Sequence, residues 1–394
     1  MMDIMSSLGW LILSFLANPL LYLGFIIIAF ISAGRVKRER ESFHTRVYSK
    51  RADWTIPLLP ALLMGVALSL ITGLVGVVVT IEWLLLVAAL YVLTALTCQL
   101  RWISPAFVLG LCLLFYGMEP WLGESSMLAG VYERITLIPL FALAGLASLF
   151  VIAEGILIRT NGARFSSPKL RRSKRGKWVG FHEAKRLWVV PVLFFIPDGL
   201  LPSFSYWPVL QIGDGGWQPV LLPLLFGFQQ RIKATLPHIP IRQHGNRLFF
   251  FGLILGGLAA ASYYSPYVAV VLGAAVIAGR ELIWLLAKEK DEKQPDFFSA
   301  KEKGCVVLGV LPGSPAEKMN LEIGEIIVKV NGQPVSTDEN FYEALQQNSA
   351  FCKLEILTHE GELRFAQGAI YDGGHHQLGV LLVKDDIQLQ DSII

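Results

Sequence analysis

The chain has 394 residues, 54% of them hydrophobic and only 16% charged, with a formal net charge of +3. Soluble globular chains carry about 25% charged residues, and the shortfall lies in the first three quarters of the sequence, which argues against an ordinary soluble enzyme and for lipid-facing helices. The small basic excess sits in loops between apolar runs, so no nucleic-acid partner is expected. The four cysteines stand in no CxxC or zinc-ligand spacing, so no disulfide framework, metal or other cofactor is expected either.

A helix needs roughly 20 apolar residues to cross the hydrocarbon. The apolar runs predict spans over 8–32, 55–80, 83–100, 103–118, 135–158, 187–202, 217–228, 248–265 and 267–287. The first run is too long for a signal-peptide core and lacks a small-residue cleavage site, so it reads as a retained span. Pro191, Pro197, Pro202, Pro208, Pro219 and Pro223 interrupt the sixth and seventh runs, and Asp198 lies among them. That stretch reads as two short spans, a re-entrant hairpin or broken helices. The membrane domain, 1–287, therefore carries nine transmembrane helices, or eight if one weak segment does not cross.

Loop charge sets orientation. The segments 34–51, 159–178 and 229–247 are rich in Lys and Arg, whereas those around Glu82, 119–126 and 204–216 carry almost none. With nine spans the N-terminus lies outside and the C-terminus inside. Trp54, Trp83, Trp102, Trp121, Trp178, Trp188, Trp217 and Trp284 fall near predicted span ends, as interfacial aromatic rings do.

After Ala287 the composition changes. Residues 288–297 read as a charged, solvated linker and 298–394 as one small soluble domain. Cys305 to Leu311 reads as a buried strand, broken by Pro312-Gly313. Ser314, Pro315 and Glu317 have capping-box spacing for a short helix, and Asn320 follows where a left-handed residue is wanted. Glu325 to Val330 is a second strand, and Asn331-Gly332 is a tight turn. Thr337 or Asp338 caps a helix running to Gln347, with Phe341 and Leu345 on its apolar stripe. Lys353 to Thr358 and Glu362 to Ala366 form a hairpin turning at Glu360-Gly361.

The run VLPGSPAEKMNLEIGEIIVKVNGQPV, within 304–335, resembles the core of bacterial PDZ domains of the HtrA-like protease type. Asn320 stands where that pattern has Gly, and Glu325 where it has Asp. The expected fold class is thus a polytopic α-helical membrane domain followed by a small α+β PDZ domain. Such domains bind a peptide C-terminus or extended segment as an added strand, between a sheet edge and a helix. Too few residues precede Gly304 for the carboxylate-binding loop, whereas Leu378-Gly379-Val380 supplies its apolar-Gly-apolar signature, so the order is circularly permuted. The resemblance places the peptide site at Leu378, Gly379, Val380, Leu381 and Leu382, with an edge strand to Lys384, facing Phe341, Tyr342 and Leu345.

No catalytic site is expected. A site-2 metalloprotease needs HExxH, because two His one turn apart hold the metal; His182-Glu183 is followed by Ala184, Lys185 and Arg186, and Pro197-Asp198-Gly199 supplies one carboxylate without the His pair. GxSxG, P-loop and GxGxxG patterns are also missing. A transporter is the other class to weigh. Glu154 and Arg280-Glu281 read as snorkelling charges at span ends, Asp198 stays open as a functional carboxylate, and no internal repeat supports that class.

Taken together, many spans, a charged linker and one terminal permuted PDZ domain resemble the MinJ family of cell-division topological determinants. The resemblance covers the whole layout and is sharpest at 304–382. It implies a non-enzymatic scaffold in the cell membrane at septum and poles, bridging DivIVA-like and MinD-like proteins and other divisome components. The alternatives are an accessory subunit of membrane proteolysis that selects substrates with its PDZ domain, or, further off, a transporter with a regulatory tail. The orientation has a direct check: a cysteine engineered near Asn161 should react only with a membrane-permeant reagent, and labelling of intact cells by an impermeant one would overturn it.

Overall fold

The computed structural model describes residues 2–118, 127–173, 176–202, 206–210, 216–301, 303–348, 350–369 and 378–383. Trp121 and Lys384 lie outside them. The first predicted span is two helices, α1 (Met2–Leu16) and α2 (Pro19–Phe43). The break follows from Pro19, which disfavours a helical residue before it. Asn18 takes the extended conformation instead and its side chain accepts the Leu20 amide at 3.0 Å. Then come α3 (Ala52–Val75), α4 (Ile81–Leu96), α5 (Pro105–Tyr116), α6 (Met127–Thr136) and α7 (Leu140–Asn161). Later helices are α8 (His238–Ala261) and α9 (Pro266–Lys293). Among the described residues, α2, α3, α7 and α9 are long and apolar enough to cross a membrane, and α4 and α5 are shorter apolar helices. The chain is a multi-pass membrane protein.

The segments 187–202 and 217–228 are not helical. They belong to two long strands, β2 (Trp178–Leu201) and β3 (Trp217–Ile232), paired antiparallel from His182↔Ile232 to Pro197↔Trp217. A short β1 (Ser167–Arg172) joins the β2 edge at Glu183 to Trp178. Proline explains the outcome, since each one would remove a helical hydrogen bond and clash with the preceding turn. Pro191 and Pro223 stand directly opposite one another in the ribbon. Its side chains form the centre of the membrane domain's core: Trp188, Val190, Val192, Phe194, Leu225 and Phe226 are all fully buried.

An apolar interior leaves no water for a free ribbon edge, so the surrounding elements must cap it. Ser69 on α3 receives the Leu193 amide at 3.0 Å and donates to the Pro191 carbonyl, and Thr72 donates to the Leu193 carbonyl at 2.6 Å. Beyond them Val77 and Val79 exchange backbone bonds with Phe195. On the other edge, Ser14 of α1 takes the Leu221 amide, Tyr91 of α4 donates to the Leu225 carbonyl, and the Gly227 amide reaches the Ile103 carbonyl. Gly227 is required there, because a Cβ would lie 2.1 Å from the Leu100 carbonyl oxygen.

Glu154 and Arg280 do not snorkel. They form a buried ion pair between α7 and α9, with Ser104 donating to the same carboxylate at 2.6 Å. Asp198 is exposed, in a left-handed conformation near the end of β2. Asn161 is buried, accepting from the Trp188 indole at 2.9 Å, so the labelling cysteine belongs at exposed Arg172 in the same basic segment.

The expected solvated linker is largely structured. α9 continues to Lys293 with Lys288–Glu292 and Glu289–Lys293 pairs on its surface. Asp291 then accepts the Lys233 and Ala234 amides, and Asp296 pairs with Arg171 and Lys233. The chain next adds to the ribbon: the Gly180 amide donates to the Phe298 carbonyl at 2.7 Å, and the Phe298 ring is fully buried.

The tail contains β4 (Cys305–Val310), α10 (Pro315–Lys318), β5 (Ile326–Val330), β6 (Gln333–Pro334), α11 (Asp338–Gln346), β7 (Phe351–Leu357), β8 (Leu363–Ala369) and β9 (Val380–Leu382). The sheet order is β8-β7-β5-β4-β9, with β6 on β5. Ser314 caps α10 and Thr337 caps α11, as their spacing predicts. Asn320 is left-handed, and Glu325 and Asn320 meet through one side chain: Arg364 donates to both Glu325 oxygens and to the Asn320 carbonyl.

Candidate functional site

The groove is built at the free edge of the tail sheet. β9 pairs antiparallel with β4, Val310 opposite Val380 and Val307 opposite Leu382, and leaves its other side toward α11. Gly379 sits at φ +83°, and a Cβ there would lie 2.2 Å from the Ser314 side chain, so only glycine fits. The Gly379 carbonyl accepts the Leu311 amide at 2.8 Å and the Leu378 carbonyl accepts the Ala316 amide at 3.0 Å. Those bonds turn the loop's carbonyls inward against β4 and α10.

Between this loop and α11 lies a cavity of about 350 Å³. Leu378 to Leu382 form one wall, and Asp338, Phe341 and Tyr342 form the other. Seven of the eight residues expected from the sequence therefore share one cavity; Leu345 does not line it and packs instead in the tail core with Phe341 and Val380. Val380 and Leu382 point into the same core, whereas the Leu381 side chain packs with Val47 and Tyr48. Tyr342 is the half-exposed member. The site can thus offer a strand edge, an apolar floor and a polar rim, the set needed to hold an extended peptide.

A third side of the cavity comes from the membrane domain. Phe43, His44 and Thr45, where α2 ends, line it together with β9 and α11. Nothing in the sequence marks this, since the contact joins segments far apart in the chain and no local pattern reports it. The tail also touches the ribbon. Leu308 packs against Gly180, and His182 bridges Ser166 Oγ and the Leu308 carbonyl at 3.0 Å on each ring nitrogen. These bonds suit a neutral ring with its proton on Nε2. Burial pulls the His182 pKa from 6.5 down to about 4.

No group of three or more metal-ligating side chains occurs among the described residues. Cys112, Cys305 and Cys352 are buried, and burial pushes the Cys352 thiol up to about 12. A buried thiol of that kind is unreactive.

Comparison with known proteins agrees with the fold. Residues 306–356 match the family model for the PDZ domain. The chain is 35% identical over 374 residues to the cell division topological determinant MinJ of Bacillus subtilis (strain 168), covering 94% of both chains. It is 23% identical over 386 residues to the probable cell division topological determinant MinJ of Lacticaseibacillus paracasei, covering 95% of this chain and 99% of that one. A match to serine protease HTRA3 of Mus musculus, 35% identical over 81 residues, covers only 17% of the protease.

His182 makes the seam between ribbon and tail sensitive to acid. Its pKa is lower folded than free, so its contribution is present above 6.5 and declines as pH falls toward about 4. Going from about pH 7 to about pH 5 should weaken the seam by roughly 2 kcal/mol. Hydrogen exchange of the β4 amides, corrected for intrinsic pH dependence, should accelerate over that range in the wild type and not in His182→Gln. Identical pH profiles would remove His182 as the cause.

Proposed function

Because the chain belongs to the MinJ family of cell division determinants, we propose that it is a non-enzymatic membrane scaffold that positions division regulators at septum and poles. The groove between β9 and α11 captures the C-terminus or an extended segment of a partner as an added strand. The membrane domain holds that groove at the bilayer surface, where tethering raises the effective concentration of any captured protein. The tail and the basic segments 34–51, 159–178 and 229–247 face the cytoplasm. Through these surfaces the protein bridges DivIVA-like and MinD-like proteins.

The observation that carries this reading is the cavity of about 350 Å³ between Leu378–Leu382 and α11, set in a chain related to MinJ over 94% of its length. The share of HTRA3 that matches is too small to bring a protease activity with it.

A fluorescent fusion of the full chain in dividing rod-shaped cells tests the proposal. New septa and poles should be enriched. Tyr342→Glu, placed at the half-exposed groove residue and not at Gly379, should leave the protein in the membrane at normal abundance and release a MinD-like partner from septa. Uniform membrane signal from the wild type would contradict the scaffold role, and an unchanged partner pattern in Tyr342→Glu would contradict the groove assignment.

A further inference from the structure

A second cavity, of about 70 Å³, lies where α2, α3, β1 and β2 converge. That is several times the ~10–15 Å³ one water molecule needs. Its charged lining is Arg35, Arg38, Lys169, Lys185 and Arg186 against Asp53 and Glu183. Five cations facing two carboxylates leave three positive charges over. Glu39, buried behind Arg35 and bonded to it, still leaves the cluster positive.

The carboxylates are already committed. Asp53 accepts from Arg35 at 2.9 Å and lies 3.3 Å from Arg186. Glu183 is shared among Lys169, Arg38, Lys185 and Arg231. Arg186 is almost fully buried, and its Nε has no partner among the described residues. Burial, with the charge of Arg38 added, holds both lysines below their ordinary pKa. Each of the five has a carboxylate partner, but the carboxylates are fewer than the cations, and the net positive charge gathered at the cavity favours a further anion.

The cavity's position selects the kind of anion. Phe30 and Ile31, on the apolar part of α2, line it beside Gly34. Ile26 and Phe30, one turn apart, are both highly exposed and present a lipid-facing stripe that leads to the cavity. Gly34 leaves the mouth open, since a Cβ added there meets nothing within 4 Å. We propose that this cavity binds the phosphate of one anionic phospholipid, whose acyl chains lie along the Ile26–Phe30 face of α2. Arg38 and Lys185, the more exposed of the five, meet the headgroup first. Arg35, Arg186 and Lys169 form its inner wall.

This site is separate from the peptide groove and stands or falls apart from it. The test uses purified full chain in neutral detergent, with bound lipid counted by native mass spectrometry. The probes are phosphatidylglycerol, phosphatidylcholine and inorganic phosphate. Wild type should retain one phosphatidylglycerol and no phosphatidylcholine, and inorganic phosphate should not displace it. Arg38→Gln with Lys185→Gln should lower retention roughly 30-fold, about what two juxtamembrane charges supply. Gly34→Leu, which fills open space and favours the helix, should block the mouth and lower retention without lowering the thermal midpoint. Equal retention of phosphatidylcholine, or retention unchanged in both variants, would overturn the site. Displacement by inorganic phosphate would overturn the lipid as its source.

Discussion

An apolar interior offers no water to an unpaired backbone amide, and that constraint decides how β2 and β3 are housed. A two-stranded ribbon pairs its own inner edges and leaves two outer edges bare. Here those edges meet Ser14 of α1, Ser69 and Thr72 of α3, Tyr91 of α4, and the backbone of Val77, Val79 and Ile103. The helices are therefore not only a lipid-facing shell. They complete the hydrogen bonding of the strands they surround, and a polar side chain on an apolar helix, such as Ser69 or Thr72, has its reason in the ribbon.

The ribbon also sets what lies at the surface. Its near end, Trp178 to Arg186, leaves the apolar core and carries β1, Phe298 and, through His182 and Gly180, the strand β4. The tail domain is consequently seated on the membrane domain, with Leu381 against Val47 and Tyr48. The peptide groove inherits a wall from the end of α2, and the cationic cavity opens a few turns earlier on the same helix. The two proposed sites, one for a peptide and one for a lipid, thus lie at neighbouring positions along one helix.

Much of this was legible in the sequence, and the failures share a cause. Ser314, Thr337, Asn320 and Asn331-Gly332 act locally, so their caps and turns could be read from spacing alone. Leu378-Gly379-Val380 could be placed because the missing first strand left one other source for it. The strands 187–202 and 217–228 looked like short spans because a strand buried on both faces is apolar throughout, and periodicity does not separate it from a buried helix. The prolines there were the better signal. Glu154 and Arg280 looked like end-of-span charges, since a partner 126 positions away leaves no local trace. The same holds for Phe43 to Thr45 at the groove.

The central claim is that a β-ribbon, and not a pair of helices, occupies the core and carries the tail. Val189 and Leu225 face each other in its register, and both approach Gly24. Cysteines at these two positions, in a background lacking the exposed Cys98, should cross-link on oxidation in native membranes. A control pair at Val189 and Leu221, four residues or about 13 Å out of register, should not. Equal cross-linking of both pairs, or none at 189 and 225, would contradict the ribbon.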